Sequence, residues 1–149
     1  MREQFTAQLK EAIKAGEKMK VATLRLILSA LKDKDIEARG LGKTISNDDI
    51  LALLQKMVKQ RQESLGIFEK AGREDLAATE RGEIAIINTF LPSQMSEADV
   101  KAAIAAAVSE TGAASVKDMG KVIGVLKAKY SGQLDFAKAS ALVKAALGV

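Results

Sequence analysis

The stretch from Leu91 to Val100, LPSQMSEADV, divides the chain. Pro92 is the only proline, and proline disfavours helical backbone at the residue before it. Ser96 then offers a hydroxyl to cap a new helix, with Asp99 at the third helical position to return the bond. One helix therefore stops before this stretch and another starts inside it. The sequence predicts two parts, an N-terminal helical domain over 1–92 and a C-terminal three-helix domain over 93–149.

Both sides read as helix. Apolar residues recur at the helical period and strand signals are nearly absent. Upstream, Phe5, Leu9, Ala12 and Ile13 form a stripe that stops at Gly16. Val21, Leu24, Ile27, Leu28 and Leu31 form a second, ending near Gly40. Ser46 and Asp49 make a capping box for a third helix of roughly 25 residues, about 37 Å long. Its apolar face is Ile50, Leu53, Leu54, Met57, Val58, Leu65 and Phe68, with Gly72 as its stop. Leu76, Ile84, Ile87, Phe90 and Leu91 face inward from a fourth, ended by Pro92. Downstream, helices are expected over Val100–Thr111, Val116–Tyr130 and Phe136–Leu147, the last two capped by Ser115 with Asp118 and by Asp135. The expected fold is all-α, four helices and then three.

Composition narrows the chemistry. The 149 residues include no histidine and no cysteine, so the usual nucleophile–base pairs and the commonest metal ligands are missing. Lack of cysteine fits a reducing compartment. No apolar run approaches the ~18 residues that span a bilayer, and MREQFTAQLKEAIK carries charge where a signal peptide would be apolar. The expectation is a cytoplasmic protein without membrane, metal or cofactor. A net charge of +4 leans towards polyanions.

The stretch MGKVIGVLKAKYSGQLD, Met119 to Asp135, spends helix propensity without an evident reason. Each interior glycine costs a helix about 0.5–1 kcal/mol relative to alanine, and Gly120 and Gly124 stand four residues apart. At about 100° per residue, Met119, Val122, Ile123, Leu126 and Tyr130 face the core. Gly120, Gly124 and Ala128 line the edge of the opposite face, with Lys117 and Lys121 on one side and Lys127 on the other. Between Lys117 and Lys129 there are four lysines and one acid. A smooth line beside ammonium groups lets a phosphate backbone come close. Alternatively, the small residues admit another helix and the lysines are simply solvated. There is no tryptophan, and the four phenylalanines and one tyrosine occupy apolar-face positions. Base stacking on exposed rings is therefore not the expected mode; shape and phosphate contacts, as with folded RNA, are.

Other patterns carry less. GLGKT, Gly40 to Thr44, lacks the first glycine of a P-loop, since Glu37 stands there, and a helix rather than a strand precedes it. It reads as a helix–helix loop. Asp48/Asp49 and Glu80/Glu83 lack convergent partners for a metal. Lys59 to Ala77, KQRQESLGIFEKAGREDLA, mixes both charges, either as a solvated face with i,i+4 pairs or as a protein–protein surface.

TLRLILSALKDKDIE (Thr23 to Glu37), QRQESLGIFEKAGREDLA, EIAIINTFLPSQMSEADV and DMGKVIGVLKAKYSGQLD together resemble the bacterial YqeY-like family, in order and over nearly the whole chain. That family shares its tail with GatB, the B subunit of the glutamine-dependent aspartyl/glutamyl-tRNA amidotransferase. The resemblance implies a C-terminal three-helix domain of the ubiquitin-associated type, which in the amidotransferase contacts tRNA and carries no catalytic residue. The matching segment runs from Met119-Gly120-Lys121-Val122-Ile123-Gly124 through Lys127, Lys129 and Gly132. Relatives often have methionine where Ile123 stands and a basic residue where Gln133 stands.

The expectation is a non-catalytic tRNA-binding protein. Lys117, Lys121, Lys127 and Lys129 would meet phosphates while Gly120 and Gly124 admit the backbone. Any carbon–nitrogen ligase label with glutamine as amido donor would attach by kinship only. The alternative is a protein–protein adaptor using the C-terminal bundle.

Overall fold

A computed structural model describes residues 1–148. It holds seven α-helices and one 3₁₀ turn, with no strand among the described residues. The helices are α1 (Arg2–Ala15), α2 (Lys18–Gly40), α3 (Asn47–Lys70), α4 (Glu74–Asn88), α5 (Glu97–Thr111), α6 (Met119–Tyr130) and α7 (Phe136–Ala146). The chain separates into two compact units, Met1–Leu91 and a second that begins at Pro92.

The first unit contains α1 to α4. Its core gathers Phe5 and Ala12 from α1, Leu24, Ile27 and Leu31 from α2, Ile50 to Val58 from α3 and Ile87 from α4. Ser46 starts α3 through a complete capping box: the Asp49 N–H donates to its hydroxyl (3.2 Å), and its own N–H donates to the Asp49 carboxylate (2.8 Å). These bonds hold Asp49 below the usual carboxylate range.

Several expectations shift. Ile13 is 51% exposed, because it lies about 80° round α1 from Phe5 at helical spacing and misses the contact with α2. Leu65 and Phe68 are only half-buried, because α3 runs on past the core that holds Ile50 to Val58. Helix α4 stops at Asn88, short of Pro92. The Phe90 N–H reaches Ile87 O (3.0 Å), and the Thr89 hydroxyl takes Ile86 O (2.7 Å). The last turn is thereby tightened, and Phe90 leaves the helix to meet Phe5 edge-on, 4.9 Å between ring centroids.

The charges of Lys59 to Ala77 pair both across helices and locally, Glu74 meeting Arg81 along α4. Arg61 of α3 meets Glu83 of α4 at 2.7 Å, with both side chains mostly buried. Arg81 of α4 reaches Glu69 of α3 at 3.0 Å, and Arg73 pairs with Asp75 at 3.1 Å. Arg2 ties α1 to Asp35 of α2 with two bonds of 2.7 and 2.6 Å. Beside the Arg61–Glu83 pair, Glu80 Oε2 is buried without a hydrogen-bond partner. Burial first, and Glu83 second, push its carboxyl above the ordinary value.

The second unit contains α5, α6 and α7. Val100, Ala103, Ile104 and Ala107 of α5 pack with Val122 and Leu126 of α6 and with Ala139 and Val143 of α7. Leu134 and Leu147 close the two ends. Ser96 caps α5, accepting the Asp99 N–H at 3.1 Å, and Asp135 caps α7, accepting the Ala137 N–H at 2.9 Å. No helix of the described residues is long and apolar enough to cross a membrane.

Candidate nucleic-acid interface

Helix α6 begins later than its hydrophobic pattern suggests. Val116–Asp118 forms a 3₁₀ turn, and α-helix starts at Met119. Asp118 causes this start: its carboxylate accepts the Ala114 N–H at 3.0 Å and the Ser115 N–H at 3.4 Å, folding the chain tightly before the helix. These amides, with Lys121 nearby, hold Asp118 below the usual carboxylate range. Lys117 therefore stands on the entry turn and Lys121 in the first turn of α6.

The other end is pinned from the start of the unit. Met95 N–H donates to Gln133 O at 2.8 Å, and the Gln94 side-chain amide donates to Gly132 O at 2.7 Å. Gly132 takes a left-handed conformation, φ +77°, which only glycine adopts without strain. Gln133, where relatives often carry a basic residue, is half-buried in this turn.

Between these anchors the inward face is as expected. Val122 and Leu126 are fully buried, with Met119, Ile123 and Tyr130 packed against the same core. Outward, Lys117, Gly120, Lys121, Gly124, Lys127 and Ala128 are all exposed. A Cβ added at Gly120 or Gly124 would meet nothing within 4 Å. The small-residue line thus makes no close packing within this chain.

The four lysines are not equivalent. Lys127 Nζ lies 5.9 Å from the centroid of the Phe136 ring, on the side of α6 towards α7. Lys129 is exposed but lies about 140° round the helix from Gly124, where it meets Glu110 of α5 at 2.8 Å. That carboxylate raises the Lys129 ammonium above its ordinary value. Lys117, Lys121 and Lys127 flank the glycine line; Lys129 faces the other way. The sequence offered no signal for the Glu110 pair, whose members are 19 residues apart, nor for the Gln94 clamp.

The remaining candidates resolve as local structure. Gly40 to Thr44 forms the end of α2 and its turn. Asp49 is taken up in its cap and Glu83 in its pair with Arg61. No group of acids that could hold a metal occurs among the described residues.

Known proteins place the chain. It is similar to "Altered inheritance of mitochondria protein 41, mitochondrial" from three yeasts. The Vanderwaltozyma polyspora protein is 34% identical over 57% of this chain and 45% of its own length. The Saccharomyces cerevisiae protein is 35% identical over 56% and 44%. The Lachancea thermotolerans protein is 34% identical over 68% and 54%. The chain thus spans about half the length of the curated relatives it matches. It also matches the Yqey-like protein family over residues 2–147, that is, over all its helices and both of its compact units. The chain belongs to the YqeY-like family.

Proposed function

We propose that the protein is a non-catalytic RNA-binding protein that holds tRNA through the outward face of α6. In this reading the two units are separate domains of four and three helices, the second of the ubiquitin-associated type. The protein works in the cytoplasm, and its amidotransferase kinship extends to binding rather than reaction. Lys117, Lys121 and Lys127 meet phosphates, with Lys129 at the margin, where it must leave Glu110 to contribute.

The observation that carries the reading is the juxtaposition of the open line at Gly120 and Gly124 with the exposed Lys117, Lys121 and Lys127. Two interior glycines cost the helix about 0.5–1 kcal/mol each, and no group of the second unit occupies the room they leave. The contrast is Gly82 in α4, where an added Cβ would stand 2.1 Å from Met19 Sδ. Gly66 inside α3 is equally open; what sets the α6 line apart is the three exposed ammonium groups on its flanks, which favour an anion.

The test is binding of bulk tRNA at two salt concentrations. Affinity should fall with log salt at a slope near −1 per neutralised phosphate, and Lys121→Ala with Lys127→Ala should abolish binding. Gly120→Ala with Gly124→Ala should stabilise the fold by about 0.5–1 kcal/mol per site and still weaken binding. An alanine variant that is more stable and binds equally well would remove the reason for the glycines. Salt-insensitive capture of a protein by the same face would favour an adaptor, the reading in which the line receives a partner helix.

A further inference from the structure

Helix α2 carries an unpartnered pattern on its outward side, independent of α6. Ala22, Leu26, Ser29, Asp33 and Ile36 alternate at spacings of four and three, the a/d seam of a coiled coil; Met19, one step earlier in the pattern, lies instead against Gly82 of α4. All five are exposed, Leu26 at 45% and Ile36 at 55%. The core of the first unit takes the opposite side of the helix, at Leu24, Ile27 and Leu31. Immediately before each a position stands a cation: Lys18, Arg25 and Lys32, with Arg39 next in the same seven-residue row.

None of these four cations forms an ion pair among the described residues, and all are exposed. Their neighbours off the row behave differently. Lys20 reaches Glu17 at 3.9 Å, Lys34 reaches Glu37 at 3.4 Å, and Asp35 is held by Arg2. A seam whose large apolar residues are Leu26 and Ile36 therefore runs beside a basic row that makes no ion pair among the described residues, along the 23-residue α2.

We infer that the outward face of α2 docks an amphipathic helix of a partner protein, one whose apolar stripe is flanked by Asp or Glu. Flanking charges set partner choice in such pairings. A second copy of this chain fits poorly. Paired antiparallel, the basic row faces the basic row. Paired parallel, it faces Ala30 and Glu37, since Thr23 of the same row is fully buried, and Glu37 already meets Lys34. A nucleic acid would use the row but leave Leu26 and Ile36 in water. Asp33, the one charge in the seam, asks for a cation opposite and so fixes the register of the partner.

Two labelled three-heptad peptides test this against the full chain by fluorescence anisotropy. Both carry Leu at a and d except for one Lys placed to face Asp33; at the flanking positions one carries Glu and the other Lys. The acidic peptide should bind at micromolar concentrations and the basic one should not. Leu26→Ser with Ile36→Ser should weaken binding by roughly tenfold or more, with unchanged helicity by circular dichroism and unchanged tRNA binding. Absence of binding by the acidic peptide overturns the inference, as does full affinity in the double variant. So does a dimer in sedimentation that Leu26→Ser dissolves. A loss of tRNA binding in Arg25→Ala with Lys32→Ala, insensitive to Leu26→Ser, would make the row a nucleic-acid surface and overturn it too.

Discussion

The two units treat their charges differently. In the first, Arg2, Arg61 and Arg81 each cross to an acid on another helix, so the dense charge of Lys59 to Ala77 is largely structural. In the second, Lys129 is held by an acid across the bundle, whereas Lys117, Lys121 and Lys127 are exposed around an open line. The cores differ in the same sense. The first is built on Phe5, Phe90 and large aliphatics; the second relies on Ala103, Ala107 and Ala139 to bring its helices close. A charge cluster in sequence thus means opposite things in the two units, and the neighbouring helix decides which.

The largest expected effect comes from the smaller core. Leu126 is fully buried, and Leu126→Ala should destabilise the second unit by about 2–5 kcal/mol. Urea unfolding followed by circular dichroism should then show an early transition that leaves α1 to α4 folded; a single unshifted transition would contradict the division of cores.

Arg61→Ala breaks the contrast from the other side by leaving Glu83 mostly buried without its cation. Removing one partner of a fully buried pair costs about 3–5 kcal/mol. The side chains here retain 15% and 17% exposure, so about 2–3 kcal/mol is expected from thermal unfolding. By comparison, Lys121→Ala should leave stability within about 0.5 kcal/mol.

Gly132→Ala should cost about 1–2 kcal/mol, since φ +77° is strained for any residue with a Cβ. The change should also loosen the turn clamped by Gln94, visible as faster amide exchange at Gln133.

Glu80→Gln should have the smallest effect, read through pH. Folding raises the Glu80 pKa, so between the ordinary carboxyl value and the raised one the folded state binds more protons than the unfolded. Stability therefore falls as pH rises through that window. The glutamine variant should lose this slope and exceed the parent in stability at neutral pH, as denaturant midpoints at several pH values would record.

The sequence made most of the fold legible. The box of Ser46 and Asp49 and the caps at Ser96 and Asp135 lie where local chemistry put them, because a cap needs only residues a few positions apart. The end of α4 was misread because Phe90 is claimed by Phe5, which lies 85 positions earlier in the chain. The start of α6 was misread because apolar periodicity cannot distinguish a 3₁₀ entry turn from an α turn. At the candidate site, the glycine line and the lysines beside it were visible from helical spacing alone. That Lys129 turns away to Glu110 was not.

The sequence by itself determined the helical class, the break near Pro92, which residues are too small for their helices and the family to which the chain belongs. These follow from backbone restriction, hydrophobic period and the order of motifs. Tertiary structure alone decided which charges are spent on neighbours, which glycine is filled by Met19 and which are left open. It also left the outward seam of α2 from Ala22 to Ile36 without a partner in the chain. Those outcomes depend on contacts between residues far apart in sequence, and packing against another helix is what turns a pattern into either a core or a surface.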